Sequence, residues 1–117
     1  MNKTLVLKKD NTEVDVFWAD NNSVKALKEL AKDGLTINMN KYGGFEQVGS
    51  LGKTLPSADT RITTTAGDIV LYSSNQIVIF YDSNTWEYTK LGHISLSKSE
   101  LVDLLADEDV TISLSLK

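Results

Sequence analysis

A chain of 117 residues with 41% hydrophobic and 24% charged side chains suits one globular domain over residues 1–117 and is too short for two cores. Its net charge of −4 and pI near 4.9, with lysines scattered and Arg61 the one arginine, argue against nucleic acid as a partner, which would draw on clustered cations. With no cysteine, disulfides, thiol catalysis, iron–sulfur clusters and cysteine-type zinc sites are excluded.

The chain opens Met-Asn-Lys-Thr-Leu-Val-Leu-Lys-Lys. Its apolar run stops well short of the core of a signal peptide, and no stretch reaches the length of a bilayer span. A cytoplasmic protein with no membrane partner is expected. Thr4–Lys8 and Glu13–Ala19 read as two strands joined through the turn residues Asp10-Asn11. In the second, Val14, Val16 and Trp18 share a face, and Trp18 reads as core. Ser23–Lys32 reads as a helix with Val24, Leu27, Leu30 and Ala31 on its apolar stripe, capped by Asn22 or Ser23 and ended by Gly34.

Leu35–Asn40 alternates as a half-buried strand does, and Phe45–Val48 extends again after Gly43-Gly44. Gly49, Gly52, Pro56, Ser57 and Asp59 then mark an irregular loop. Arg61–Thr65 alternates once more. Ile69–Tyr72 and Ile77–Tyr81, joined across Ser73-Ser74-Asn75-Gln76, form the strongest hairpin in the chain. Both its faces are apolar, which predicts a central position covered on both sides, the outer side by helices. Trp86–Thr89 and Leu91–Ser95 continue as short extended pieces. Ser97-Lys98-Ser99-Glu100 is a capping box opening a second helix, with Leu101, Val102, Leu104 and Leu105 as its buried stripe. Asp103, Asp107, Glu108 and Asp109 make a solvated acidic patch near that helix's end. Thr111–Leu116 is a closing strand. Many short strands and two helices that do not alternate with them predict a mainly β domain: a closed or nearly closed barrel with two short capping helices.

Six of the seven glycines, the one proline and most aromatics fall within Asn38–Ile94. There Gly44-Phe45-Glu46, Leu51-Gly52, Leu55-Pro56, Gly67-Asp68-Ile69, Tyr72, Ile79-Phe80-Tyr81, Trp86, Tyr88 and Leu91-Gly92-His93-Ile94 together resemble the bacterial cyclophilin-like domain family. The resemblance runs over roughly Asn2–Lys117 and implies a small cyclophilin-like β-barrel, in a family whose biochemical role is largely unassigned. Some relatives are linked to flavodoxin-like proteins, which makes such a redox protein a candidate partner. Active cyclophilins are peptidyl-prolyl isomerases that use an arginine and a phenylalanine. With Phe45 as the phenylalanine, the arginine position falls at Asn40 and the glutamine position at Val48, one place beyond Gln47. Twisting a peptide bond crosses a barrier of about 18–20 kcal/mol, and asparagine is a weak substitute for a guanidinium in lowering it. Arg61, reaching over from another strand, is the alternative arginine for an isomerase with Phe45.

The leading expectation is a non-catalytic module binding a peptide or small-molecule ligand in a groove walled by Tyr42, Phe45, Gln47, Arg61, Trp86, Tyr88 and His93, since tyrosine and tryptophan offer apolar bodies with polar tips. The competing expectation is that these aromatics plug the barrel mouth. His93 has no second histidine for a zinc site, no carboxylate cluster is spaced for a metal, and no cofactor motif is present. No serine sits in a nucleophile elbow. Asp68 is expected to fix its own turn by accepting backbone N–H groups, and Asp59 is read the same way.

Overall fold

A computed structural model describes residues 4–106 and 109–117. Met1–Lys3 of the opening sequence, and Asp107 and Glu108 of the acidic patch, lie outside the described residues. The first strands are β1 (Leu5–Lys9), β2 (Thr12–Val14) and β3 (Val16–Trp18). Asp10, at φ +56°, makes the tight turn from β1 to β2. Helix α1 (Asn22–Leu30) follows. Its cap is Asn21, one residue before the expected pair: the Asn21 side chain accepts the Val24 N–H at 2.9 Å and donates to the Lys90 carbonyl at 2.9 Å. Ser23 is instead buried, with its hydroxyl donated to the Pro56 carbonyl.

Strands β4 (Leu35–Asn38), β5 (Asn40–Tyr42), β6 (Glu46–Ser50) and β7 (Thr60–Thr63) come next. The predicted hairpin is β8 (Asp68–Tyr72) and β9 (Gln76–Phe80), paired from Ile69 opposite Ile79 to Tyr72 opposite Gln76. Ser73 and Ser74 both take positive φ, 51° and 63°, the mirror-image turn whose twist matches the flanking strands. The two extended pieces predicted after it are one strand, β10 (Thr85–Ile94), with a register shift between Lys90 and Gly92. Helix α2 (Lys98–Leu105) carries the expected capping box: the Ser97 hydroxyl accepts the Glu100 N–H, and the Glu100 carboxylate accepts the Ser97 N–H. Only Leu101 and Leu105 of its stripe are buried. Val102 is exposed, since in so short a helix only the i, i+4 pair faces inward. Strand β11 (Thr111–Leu116) ends the chain.

These strands make two sheets, one ordered β2-β1-β11-β4 and one ordered β3-β10-β8-β9-β6-β5, with β7 paired to the first half of β10. Two extended segments pass from one sheet to the other: β2 becomes β3 across Asp15, and β4 becomes β5 across Met39. At each bend pairing stops, so the ladders do not close into the expected ring. Met39 turns its side chain into the core and gives its N–H to the Val110 carbonyl at 2.7 Å.

The main core fills the space between the sheets. Leu5, Leu7, Ile37, Ile112 and Leu114 come from the four-stranded sheet, and Ile69, Leu71, Ile77, Ile79, Leu91 and Ile94 from the other. Val24, Leu27 and Ala31 of α1 and Leu101 and Leu105 of α2 join the same cluster. The helices therefore cover the inner core, and the expectation that they cap the outer face of the hairpin is corrected. That face has its own small cluster of Val70, Val78, Phe80 and Tyr88, with Phe45, Val48, Ile62 and Tyr72 packed on it.

Gly49 marks the tightest inner contact. A Cβ there would stand 2.5 Å from Ile37 Cγ2 and 2.5 Å from Met39 Sδ, so the bent β4–β5 segment lies directly on β6. Overpacking of this kind costs about 1–3 kcal/mol. Gly49→Ala is expected to lower the unfolding free energy by that amount in urea titration with the slope unchanged; an undiminished stability would show that the bend is not closely packed.

Candidate functional site

The outer face of the seven-stranded sheet carries a cleft of about 730 Å³. Its floor is a chain of rings. Phe45 stacks on Phe80 at 6.4 Å and 8°, Phe80 meets Tyr88 edge-on at 5.5 Å, and Tyr88 meets Tyr72 at 5.9 Å. Tyr42 stands edge-on to Phe45 at 6.3 Å. Such arrangements add about 0.5–1.5 kcal/mol per pair beyond burial. The floor rings pack closely, but the rim is open: Tyr42 is 65% and Trp86 50% exposed.

Local sequence explains how the rings are held. Gly43 and Gly44 take φ of 66° and 78° in the β5–β6 turn, a conformation that side chains resist. A Cβ on Gly43 would lie 2.4 Å from Phe45 Cε1, so the missing side chain lets the Phe45 ring fold back over the turn. The Phe45 carbonyl accepts the Tyr81 N–H at 2.9 Å and the Asp82 N–H at 3.2 Å. Asn84 donates to the Tyr88 hydroxyl at 2.8 Å and is fixed in turn by Thr64, whose hydroxyl accepts the Asn84 N–H. On the far side of the cleft β7 places Ile62 directly opposite Trp86.

Glu46 is the unusual member. It lies opposite Tyr42 on β5 and Phe80 on β9, lines the cleft and is only 6% exposed. No hydrogen bond or ion pair reaches its carboxyl among the described residues. Burial pushes its pKa up from 4.5 to about 7. Burial also pushes the Tyr81 and Tyr88 hydroxyls up, and the charge of Glu46 adds to both.

Of the seven residues expected in the groove, the fold gathers Tyr42, Phe45, Trp86 and Tyr88 at this cleft. Gln47 points the other way. It is fully buried and donates its amide to the Leu105 carbonyl at 2.6 Å, tying β6 to the end of α2. Arg61 faces away from the cleft, opposite Glu87, because its neighbours Thr60 and Ile62 pair with the cleft-facing Tyr88 and Trp86. His93 shares the outer face but stands at its other end, where its Nδ1 lies 2.8 Å from Asp68 Oδ1. There Asp68 also takes the Lys90 ammonium at 2.8 Å and the Thr65 N–H at 2.9 Å, so its expected role in the turn holds. Burial raises its pKa, but Lys90, Thr65 and His93 together hold it below the ordinary value. Asp59 accepts the Thr89 hydroxyl at 2.6 Å in place of the expected backbone N–H.

A model of the cyclophilin-like family matches residues 7–115, nearly the whole chain. The protein belongs to the cyclophilin-like family. No curated protein and no solved structure matches it significantly. In this cyclophilin-like domain, no group of three or more His, Asp or Glu side chains stands together to hold a metal ion among the described residues. No helix among them is long and apolar enough to cross a membrane.

Sequence reasoning passed over Glu46, Tyr72 and Asn84. Tyr72 could have been found from its alternation with Val70 on β8. Nothing in the sequence marks Glu46 as buried.

The raised pKa of Glu46 has a sign. The folded protein holds this proton where the unfolded chain has released it, so stability is full below pH 4.5 and falls as pH rises to about 7. The loss is on the order of 2–3 kcal/mol. Glu46→Gln is expected to remove that slope and to be the more stable protein at neutral pH, read by urea unfolding across the range. Parallel pH profiles for the two proteins would contradict the burial.

Proposed function

We propose that this cyclophilin-like domain is a binding module without chemistry of its own, taking a peptide or small-molecule ligand in the cleft between Tyr42 and Trp86. The observation that carries this reading is the contrast within one aromatic cluster. Phe45, Phe80 and Tyr88 are packed as a floor, while Tyr42 and Trp86 remain exposed on its rim. Exposed aromatics beside a concave, mostly apolar surface are what ligand sites use. Prolyl isomerisation would need a strong donor at the twisting amide, and Arg61 stands on the other face of β7.

Trp86 is the residue on which the test turns. Being half exposed, Trp86→Ala is expected to cost about 1 kcal/mol of stability or less, yet to weaken ligand binding by tenfold or more, as truncation of an aromatic anchor does. Aromatic fragments and short peptides are screened by nuclear magnetic resonance at the Trp86 indole. A cleft that perturbs with none of them, in a protein that loses several kcal/mol with Trp86→Ala, would make the cluster ordinary core. In a proline-peptide assay the expected outcome is no rate above the uncatalysed one, unchanged by Arg61→Ala; an acceleration abolished by that substitution would replace this reading with isomerase activity.

A further inference from the structure

We propose that the cleft is specific for an organic cation, an ammonium or guanidinium group on an apolar stem, with its charge at Glu46 and its stem against the rings of Tyr42, Phe45 and Tyr88. This rests on the reading of the cleft as a ligand site and says what that site selects.

Three observations converge on it. The first is the isolation of the carboxyl. Glu46 is 6% exposed, and no cation of the chain among the described residues stands within ion-pair distance. A buried charge without a partner costs several kcal/mol, so a bound cation gains more here than it would beside a solvated glutamate. The second is the company it keeps. Tyr42 and Phe80 flank it directly across the two ladders, with Tyr88 beyond Phe80. Ring faces attract cations, and more strongly where water is excluded. Aromatic walls around one negative charge therefore favour a cation twice over, and the same carboxyl opposes phosphate or carboxylate ligands.

The third is that the neighbouring charges are used elsewhere. Lys41 lines the edge of the cleft, but it alternates with Tyr42 on β5 and pairs with Gln47, and its ammonium is turned to the end of α2, where it donates to the Ala106 carbonyl at 3.0 Å. Asp82, just past β9, is held by Lys98 at 3.3 Å. Besides Lys41, the other titratable groups lining the cleft are the hydroxyls of Tyr42, Tyr72 and Tyr88, and burial pushes that of Tyr88 up. Glu46 is thus the group whose charge a ligand would meet. Its pKa of about 7 means that a cation must also draw off a proton at neutral pH, which ties affinity to pH.

The experiment compares benzamidine with its neutral counterpart benzamide, followed at the Trp86 indole, at about pH 8 and about pH 5.5, either side of the Glu46 titration. Benzamidine is expected to bind at least tenfold tighter than benzamide at the higher pH and to lose that advantage at the lower. Glu46→Gln is expected to abolish the advantage at the higher pH and to make the benzamidine-to-benzamide ratio independent of pH. Should that variant not fold, the pH comparison on the native protein decides alone. Agmatine and acetyl-arginine amide then assign the source of the cation, free amine or peptide side chain, by whichever binds more tightly. Equal, pH-independent binding of benzamidine and benzamide would overturn the cation inference and leave the cleft as a ligand site. No response to these probes or to any fragment or peptide would overturn both.

Discussion

The structure depends on covering both faces of one hairpin. Ile69, Leu71, Ile77 and Ile79 of β8 and β9 point one way, and Val70, Val78 and Phe80 the other, and all are almost completely buried. Each such side chain contributes about 1.5–3 kcal/mol only when its face is kept from water. The inner face is covered by the second sheet and by both helices. No helix is left for the outer face, and the chain covers it with rings from β10 and the β5–β6 turn and with Ile62 of β7.

That second covering is thin, and its thinness makes the cleft. A helix would have presented a broad apolar stripe. Rings on short strands and a two-glycine turn leave a concave gap with Tyr42 and Trp86 standing at its edge. Glu46 sits in the same layer because β6 alternates, and Val48, its neighbour on that face, is already part of the cover. At the opposite end of the face, Asp68 holds Thr65, Lys90 and His93 together. One end of the sheet is locked by satisfied charges, and the other is left with a charge that nothing in the described chain satisfies.

How much of this was legible in the sequence follows from how local each signal is. The hairpin showed because β-branched and aromatic residues run on both faces. Helix α2 showed because Ser97 and Glu100 cap each other within one turn. The sheet arrangement did not, because the pairing breaks at Asp15 and Met39 depend on partners far along the chain. The cleft was half legible for the same reason. Glycines and aromatics around Tyr42–Phe45 and Trp86–Tyr88 pointed to it, but assigning Gln47 to it treated Phe45 as part of the strand. Phe45 belongs to the turn, so β6 begins at Glu46 and its alternation carries Gln47 inward. For Arg61 the face is set by pairing with β10, and for His93 by the register shift between Lys90 and Gly92. Glu46 is an ordinary surface residue type, and only the folded chain shows it buried.

The central claim is that a carboxyl stands unpartnered in the aromatic cleft, and titration of Glu46 itself tests it most directly. Carboxyl-carbon nuclear magnetic resonance on the free protein, assigned with Glu46→Gln, follows that one group through its ionisation. The account predicts a midpoint of about 7. A midpoint at the ordinary 4.5 would mean that the carboxyl is solvated or paired, and would contradict both its burial and the cation it is proposed to take.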